Sequence, residues 1–212
     1  MRVLRTEVVG LSIFKHEHHE DKSDEYATPR SFVGPIADAV GGFDLDPASG
    51  AEDTPVASTR YTVEDDGLAQ DWFGTVWLNP PFSLKTEFLD KCVTEWRDGN
   101  VGLAVVLLPV DTSTGWFHEH VASTASVIWF KQGRLSFDGA GGRNRNPNFG
   151  VMLAIYGDAP DELLDHLDRH GVAFDQRDRH ARTEQQSLLA ATDGGETPGK
   201  TSTGTERSEG PQ

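Results

Sequence analysis

Six consecutive apolar residues, Leu103-Ala104-Val105-Val106-Leu107-Leu108, run without interruption into Pro109. A strand wetted on one face alternates apolar and polar side chains, whereas a run with no polar member is covered on both faces. The segment therefore predicts a central parallel strand, with helices packed above and below it. Its neighbours fit such a layered chain. Phe43-Asp44-Leu45-Asp46 reads as a short strand opening into a turn at Pro47-Ala48-Ser49-Gly50, and Thr75-Val76-Trp77-Leu78 as a second, running straight into Asn79-Pro80-Pro81-Phe82. Leu84, Phe88, Leu89, Cys92, Val93 and Trp96 share one helical face, with Ser83 as N-cap and Gly99 past the end.

Val127-Ile128-Trp129-Phe130 and Val151 to Tyr156 supply further strands, separated by a loop from Asp138 to Asn148. After Pro160, the leucines 163, 164 and 167 predict a short helix that stops at Gly171. Strand-length runs alternating with helical periods indicate an α/β domain with a largely parallel sheet flanked by helices. The chain's 212 residues suit a single domain, and 36% hydrophobic residues plus 22 glycines suffice for a core.

The ends read differently. Residues 1–22 carry a short apolar stretch and then His16-Glu17-His18-His19, which predicts a mobile arm. From Thr192 to Gln212 no apolar side chain is present to offset the entropy of ordering, so residues 181–212 are expected to be a disordered tail and 23–180 the domain. The histidine cluster is as well explained by a solvated arm as by a metal, and no metal is assigned. No apolar run approaches the roughly 18 residues that span a bilayer, and no secretory signal is evident. The one cysteine, Cys92, excludes intrachain disulfides and sits on the apolar helix face, where it reads as a packed small hydrophobe. These features favour a cytoplasmic protein with no membrane association, and they leave the oligomeric state open, a monomer included.

Charge complicates the choice of partner. Lys and Arg number 19 and Asp and Glu 34, a net of −15, whereas nucleic-acid binders usually lean basic. Abundant acids with scarce lysine suit a salt-loaded, halophilic cytoplasm, where screening lets an acidic protein approach DNA. One stretch departs from the rest: from 131 to 145, Lys131, Arg134, Arg143 and Arg145 face a single acid, Asp138. Its glycines and the amides Asn144, Asn146 and Asn148 make a short loop near 131–148 able to contact phosphates and base edges.

Asn79-Pro80-Pro81-Phe82 carries the chemistry. In open α/β sheets ligands bind at the carboxyl ends of strands, and two prolines stiffen the backbone while removing two N–H donors. An amide oxygen, a rigid carbonyl and an aromatic face then suit an exocyclic amino group on a planar ring. Asn79 and the Pro80 carbonyl accept its hydrogens while Phe82 stacks on the ring. The nitrogen is drawn towards tetrahedral geometry, with its lone pair available for attack on an electrophilic carbon.

This tetrapeptide resembles that of the S-adenosylmethionine-dependent amino-methyltransferases, and the chain is most similar to the phage-type DNA adenine methyltransferases. The resemblance is carried by Asp24-Glu25-Tyr26-Ala27-Thr28-Pro29, Phe43 to Ala48, Asp66-Gly67-Leu68, Trp77 to Ser83, Leu107-Leu108-Pro109 and Gly133-Arg134-Leu135-Ser136-Phe137, in that order. It implies a Rossmann-like class I methyltransferase fold and S-adenosylmethionine as cofactor. It also implies transfer of a methyl group to the 6-amino group of adenine in a short double-stranded DNA site, with a role in restriction-modification. Asn79, Pro80, Pro81 and Phe82 would form the amine site, and Asp46, Pro47 and Ala48 the cofactor turn. That turn lacks the Gly-x-Gly of the commoner pattern.

Thr28-Pro29 reads as an N-cap and first helical residue, which the resemblance places at the cofactor's amino-acid end; Pro35 would kink or shorten the helix that follows. Asp65 or Asp66, with Asp66 favoured, would accept from the ribose or adenine, and Leu68 would pack on the adenine. Lys131, Arg134, Arg143, Asn144 and Arg145 would contact DNA. The same turn chemistry also serves enzymes that methylate RNA adenine or a protein glutamine amide, and a non-catalytic nucleic-acid-binding module of the same fold is a further reading. Trp116 and Phe117 are open between core packing and base stacking.

Overall fold

The computed structural model describes residues 28–50, 56–136 and 149–177. Along them run α1 (Arg30–Ala39), β1 (Phe43–Asp46), β2 (Ala57–Arg60), β3 (Gly74–Leu78), α2 (Lys85–Arg97), β4 (Val101–Pro109), β5 (Val127–Lys131), β6 (Val151–Gly157), α3 (Asp161–Asp168) and β7 (Gly171–Asp175). A 3₁₀ turn, Phe82–Leu84, leads into α2, and a π-helical turn, Phe117–Ala122, lies between β4 and β5. All strands belong to one sheet, ordered β2-β1-β3-β4-β6-β5-β7.

The apolar run becomes β4, the middle strand, and both of its faces are covered as its composition requires. Ala104, Val106 and Leu108 point into one core with Phe88, Leu89, Cys92 and Val93 of α2 and Phe117 and Val121 of the π-turn. Leu103, Val105 and Leu107 point into the other, with Val33 and Ile36 of α1 and Leu163 and Leu167 of α3. The period of two along β4 thus sorts its side chains between two helical layers.

The sheet expected to be largely parallel is mixed. Its ladders β1·β2, β1·β3 and β3·β4 are parallel, whereas β4·β6, β5·β6 and β5·β7 are antiparallel. The parallel half is the half that carries the Asn-Pro-Pro-Phe turn. Beyond it, β6 returns between β4 and β5, and β7 pairs with the far side of β5, so each neighbour there runs against the next. A doubly covered strand is apolar throughout whichever way it runs, and the composition of β6 therefore carries no direction.

Helix ends also depart from expectation. Pro29, and not Thr28, caps α1: its carbonyl accepts the N–H groups of Phe32 and Val33 at 2.9 and 3.1 Å. Pro35 does not end this helix, which continues to Ala39. Ser83 lies inside the 3₁₀ turn, and Leu84 is the N-cap residue of α2. At the other end Gly99 takes φ +81°, with its N–H on the Trp96 carbonyl and that of Asn100 on the Glu95 carbonyl. That pair of bonds is a Schellman stop and explains the glycine. α3 ends at Asp168, before Gly171 opens β7. The expected arm 1–22, the tail 181–212, the Asp24 to Ala27 segment and the Asp138 to Asn148 loop lie outside the described residues.

Candidate active site

β1 and β3 are adjacent and parallel, but the chain leaves them in opposite directions, from β1 outward to β2 and from β3 inward to β4. Such a divergence opens a crevice at the carboxyl ends of the two strands. Asp46 ends β1 and Asn79 follows β3, so the topology brings both predicted segments to this crevice. Asp44 pins the two strands together, its carboxylate accepting the Thr75 N–H at 2.8 Å. That is a structural role.

Asn79 is half-buried, Pro80 buried, and Pro81 and Phe82 half-buried. The Asn79 Nδ2 donates to Thr28 Oγ1 at 3.1 Å, and Thr28 is buried. The threonine hydroxyl is thus directed to the amide of the tetrapeptide and makes no helix cap. Pro81 is extended (φ −59°, ψ 139°) and its carbonyl accepts the Leu84 N–H at 3.0 Å, which fixes the exit of the motif into α2.

The turn after β1 is clamped to the end of β2. Tyr61 N–H donates to the Asp46 carbonyl and Ser49 N–H to the Tyr61 carbonyl, both at 2.9 Å. The Asp46 carboxyl accepts the Ala48 N–H at 3.2 Å. Burial pushes this carboxyl up to about 7, against the opposing effects of the Ala48 N–H and the Arg60 charge. Gly67 lies so close to this turn that a β-carbon there would run into the Pro47 carbonyl. The turns 46–48 and 66–68 are therefore in direct contact. Asp65 is committed to its own loop, accepting Thr62 N–H and Oγ1 at 2.8 and 2.9 Å, bonds that hold it below the ordinary carboxylate range. Asp66 is exposed in the left-handed region at φ 52°, and Leu68, like Ala48 and Tyr61, packs against the edge of the core.

Phe82 lines a cavity of about 280 Å³ with Lys85, Pro109, Asp111, Trp116 and Phe149. The Phe82 and Phe149 rings meet edge to face at 5.4 Å, and the Lys85 ammonium lies 5.4 Å from the Trp116 ring centre. Trp116 and Phe117 are both core residues, and Trp116 in addition forms a wall of this cavity. Lys85 and Phe149 were not legible as site residues. Lys85 stands three positions after Phe82, a spacing that would have signalled a shared helical face, whereas Phe149 arrives through the β6 return.

Of the predicted DNA contacts, Lys131 ends β5 half-buried with its ammonium on the Gln132 carbonyl at 2.9 Å, and Arg134 is exposed after Gly133 at φ +72°. Arg143, Asn144 and Arg145 lie outside the described residues, as does the His16 to His19 cluster. Cys92 is fully buried, and burial pushes its thiol up to about 12, which suits packing and not nucleophilic attack. Among the described residues no helix is long and apolar enough to cross a membrane.

Comparison with known proteins places the chain among its relatives. The chain is 34% identical over 111 residues to the DNA N-6-adenine-methyltransferase of Escherichia phage T1, covering 51% of this chain and 45% of that protein. It is 32% identical over 96 residues to the DNA N-6-adenine-methyltransferase of Haemophilus phage HP1 (strain HP1c1), covering 45% of this chain and 54% of that protein. It thus spans about half the length of the curated relatives it matches. No solved structure matches significantly. The family model for DNA N-6-adenine-methyltransferase (Dam) matches residues 15–170, taking in both crevice turns, the tetrapeptide and Lys131 and Arg134, and the chain belongs to that family.

Proposed function

We infer that this chain transfers a methyl group from S-adenosylmethionine to the 6-amino group of adenine in a short sequence of duplex DNA, using a Rossmann-like methyltransferase crevice. One observation carries the reading: Asn79-Pro80-Pro81-Phe82 follows the strand next to the Asp46 turn, at the point where the chain diverges, with Phe82 opening on a cavity large enough for a base.

The residues present fit the cofactor. The contact of Gly67 with Pro47 joins the two turns into one cradle. Thr28 reaches this side of the sheet through its bond to Asn79. Asp46 and Asp66 offer carboxyls to hydroxyl or amino groups, and Leu68 an apolar surface to a ring. Bound there, S-adenosylmethionine supplies a methyl already activated on a sulfonium.

The protein's work is alignment and charge stabilisation. The Asn79 side-chain oxygen and the Pro80 carbonyl accept the two amine hydrogens, leaving the nitrogen lone pair directed at the methyl carbon. With the donor bound, these oxygens would stabilise the positive charge growing on nitrogen as it takes up the methyl group and S-adenosylhomocysteine leaves, and one amine proton would then pass to water. Adenine in a duplex lies inside the stack, so the target nucleotide must flip out at a cost of a few kcal/mol. Phe82 and Phe149, with Trp116 behind them, replace part of the stacking it loses.

Replacing Asn79 by Ala tests the reading. Methyl transfer to unmethylated duplex DNA is expected to vanish, with cofactor affinity by calorimetry within a few-fold of the parent. Unchanged turnover overturns the assignment, and transfer to RNA or to a glutamine peptide in preference to DNA reassigns the acceptor.

A further inference from the structure

A second cavity of about 570 Å³ lies between the first turn of α1, the end of β5 and α3. Its apolar wall includes Phe32 and Trp129, whose rings stack with centres 6.2 Å apart. The Trp129 indole N–H is bonded to the Leu167 carbonyl at 2.8 Å, so this ring is held in place as a wall. The polar lining consists of Ser31, Lys131, Arg134, Ser136, His166 and His170. No carboxylate stands among the described lining residues, in a chain whose 34 acids outnumber 19 Lys and Arg. Such a departure from the overall charge marks a site for an anion.

The two imidazoles lie close together, tilted by 49°, with ring centres 4.8 Å apart. Burial, with His170 and Arg169 nearby, holds His166 below the ordinary histidine range. A metal ion would be repelled by Lys131 and Arg134. An anion would be attracted by both. The volume exceeds that of a bare phosphate and falls in the range of small-ligand sites. Pro29 lines the cavity and directly follows Thr28, the residue bonded to Asn79. A lining residue of the pocket and the residue that holds the Asn79 amide are thus consecutive in the chain.

We propose that this cavity is a nucleotide-phosphate subsite, in which Lys131, Arg134, His166 and His170 donate to a phosphate group while the Phe32 ring, backed by the buried Trp129, takes the attached apolar part. The shared chemistry is a phosphate ester, from the backbone of the DNA substrate or from a free nucleotide. Its assignment to the substrate rests on the adenine-methylation reading above; the anion site does not.

The test follows the His166 and His170 ring resonances by NMR, assigned with His166→Gln and His170→Gln. The full-length protein, with and without saturating S-adenosylhomocysteine, is titrated with inorganic phosphate, with thymidine monophosphate and with a duplex oligonucleotide. Both histidines are expected to shift saturably with each probe. Lys131→Met, which keeps the apolar stem and removes the charge, is expected to weaken the monophosphate about tenfold, as is Arg134→Gln. A duplex acting at lower phosphate concentration than the mononucleotide identifies the polymer backbone as the source; the reverse identifies a free nucleotide, and either supports the site.

Unmoved histidines overturn the proposal. So do shifts that survive both variants, or shifts abolished by S-adenosylhomocysteine, which would make the cavity part of the cofactor site. Methyl transfer by the same samples is scored separately: activity on DNA with unmoved histidines removes the subsite and leaves the enzyme.

Discussion

The amide nitrogen of Asn79 donates to the hydroxyl of Thr28 at 3.1 Å, across 51 residues of sequence. A side-chain amide has two chemically different ends, and anchoring the nitrogen on Thr28 decides which way the oxygen faces. If the oxygen must accept an amine hydrogen, the threonine orients it without touching the substrate. Replacing Thr28 by Val keeps the shape and removes the acceptor. The lost bond, about 1 kcal/mol, is expected to lower turnover by about fivefold, with the KM for DNA little changed. Thr28→Ser restores the rate. A Val variant at full speed shows that the bond does not set the amide.

Asp46 is buried, and its carboxyl is raised from 3.8 to about 7. Between those values the native state holds a proton that the unfolded chain has released, so stability falls as pH rises from about 4 to about 7 and is level above. Asp46→Asn accepts the same Ala48 N–H without ever ionising. It is expected to be more stable than the parent at about pH 8, by an amount on the order of a few kcal/mol, and equal to it at about pH 4. Urea midpoints at the two pH values check this. A parent whose midpoint rises over that interval relative to the variant contradicts the raised carboxyl.

Gly67 is set by contact and not by backbone angle. A β-carbon at 67 meets the Pro47 carbonyl, a backbone atom that moves only with the whole turn. Gly67→Ala is expected to cost about 1–3 kcal/mol as the 46–48 and 66–68 turns part. Calorimetry with S-adenosylhomocysteine then registers weaker binding, while turnover at saturating cofactor falls less. Affinity unchanged in a folded variant separates these turns from the cofactor.

Cys92 is fully buried, with its thiol pushed up to about 12. Native protein is expected to resist a thiol-specific chromophoric reagent that labels the unfolded chain stoichiometrically. Cys92→Ala keeps its activity and loses about 1 kcal/mol of stability, the measure of a small cavity among Phe88, Val93 and Tyr156.

How much of this was legible depended on whether a feature is local. β4 announced itself because burial on both faces writes an unbroken apolar run. The tetrapeptide announced itself because rigidity at a strand end needs prolines in sequence. β2, Ala57-Ser58-Thr59-Arg60, is half-buried at the sheet edge and carries no apolar pattern to read. β7 is likewise an edge strand, with Val172 and Phe174 exposed. Strand direction, the Thr28 to Asn79 bond and the arrival of Phe149 beside Phe82 are all decided by how distant segments meet, and one-dimensional spacing does not encode that. Thr28 misled in an instructive way: a threonine before a proline resembles a cap, but the half-buried Asn79 amide opposite it took the hydroxyl.

The net charge of −15 gives the last prediction. Ion pairs among the described residues, such as Lys91 with Glu95 at 2.8 Å and Arg177 with Asp175 at 2.6 Å, join side chains at least partly open to water. Such pairs contribute at most about 1 kcal/mol each, so screening them costs little. Screening the repulsion among the excess acids gains more, because the Debye length shrinks to about 3 Å at about 1 M salt. The urea midpoint is therefore expected to rise with potassium chloride up to molar concentrations. DNA affinity is expected to fall over the same range, as phosphate contacts through Lys131 and Arg134 compete with salt. Opposite slopes for stability and DNA binding are the signature of an acidic fold carrying a local basic site. A midpoint that falls with salt would show that attractive pairs, and not repulsion, dominate its surface.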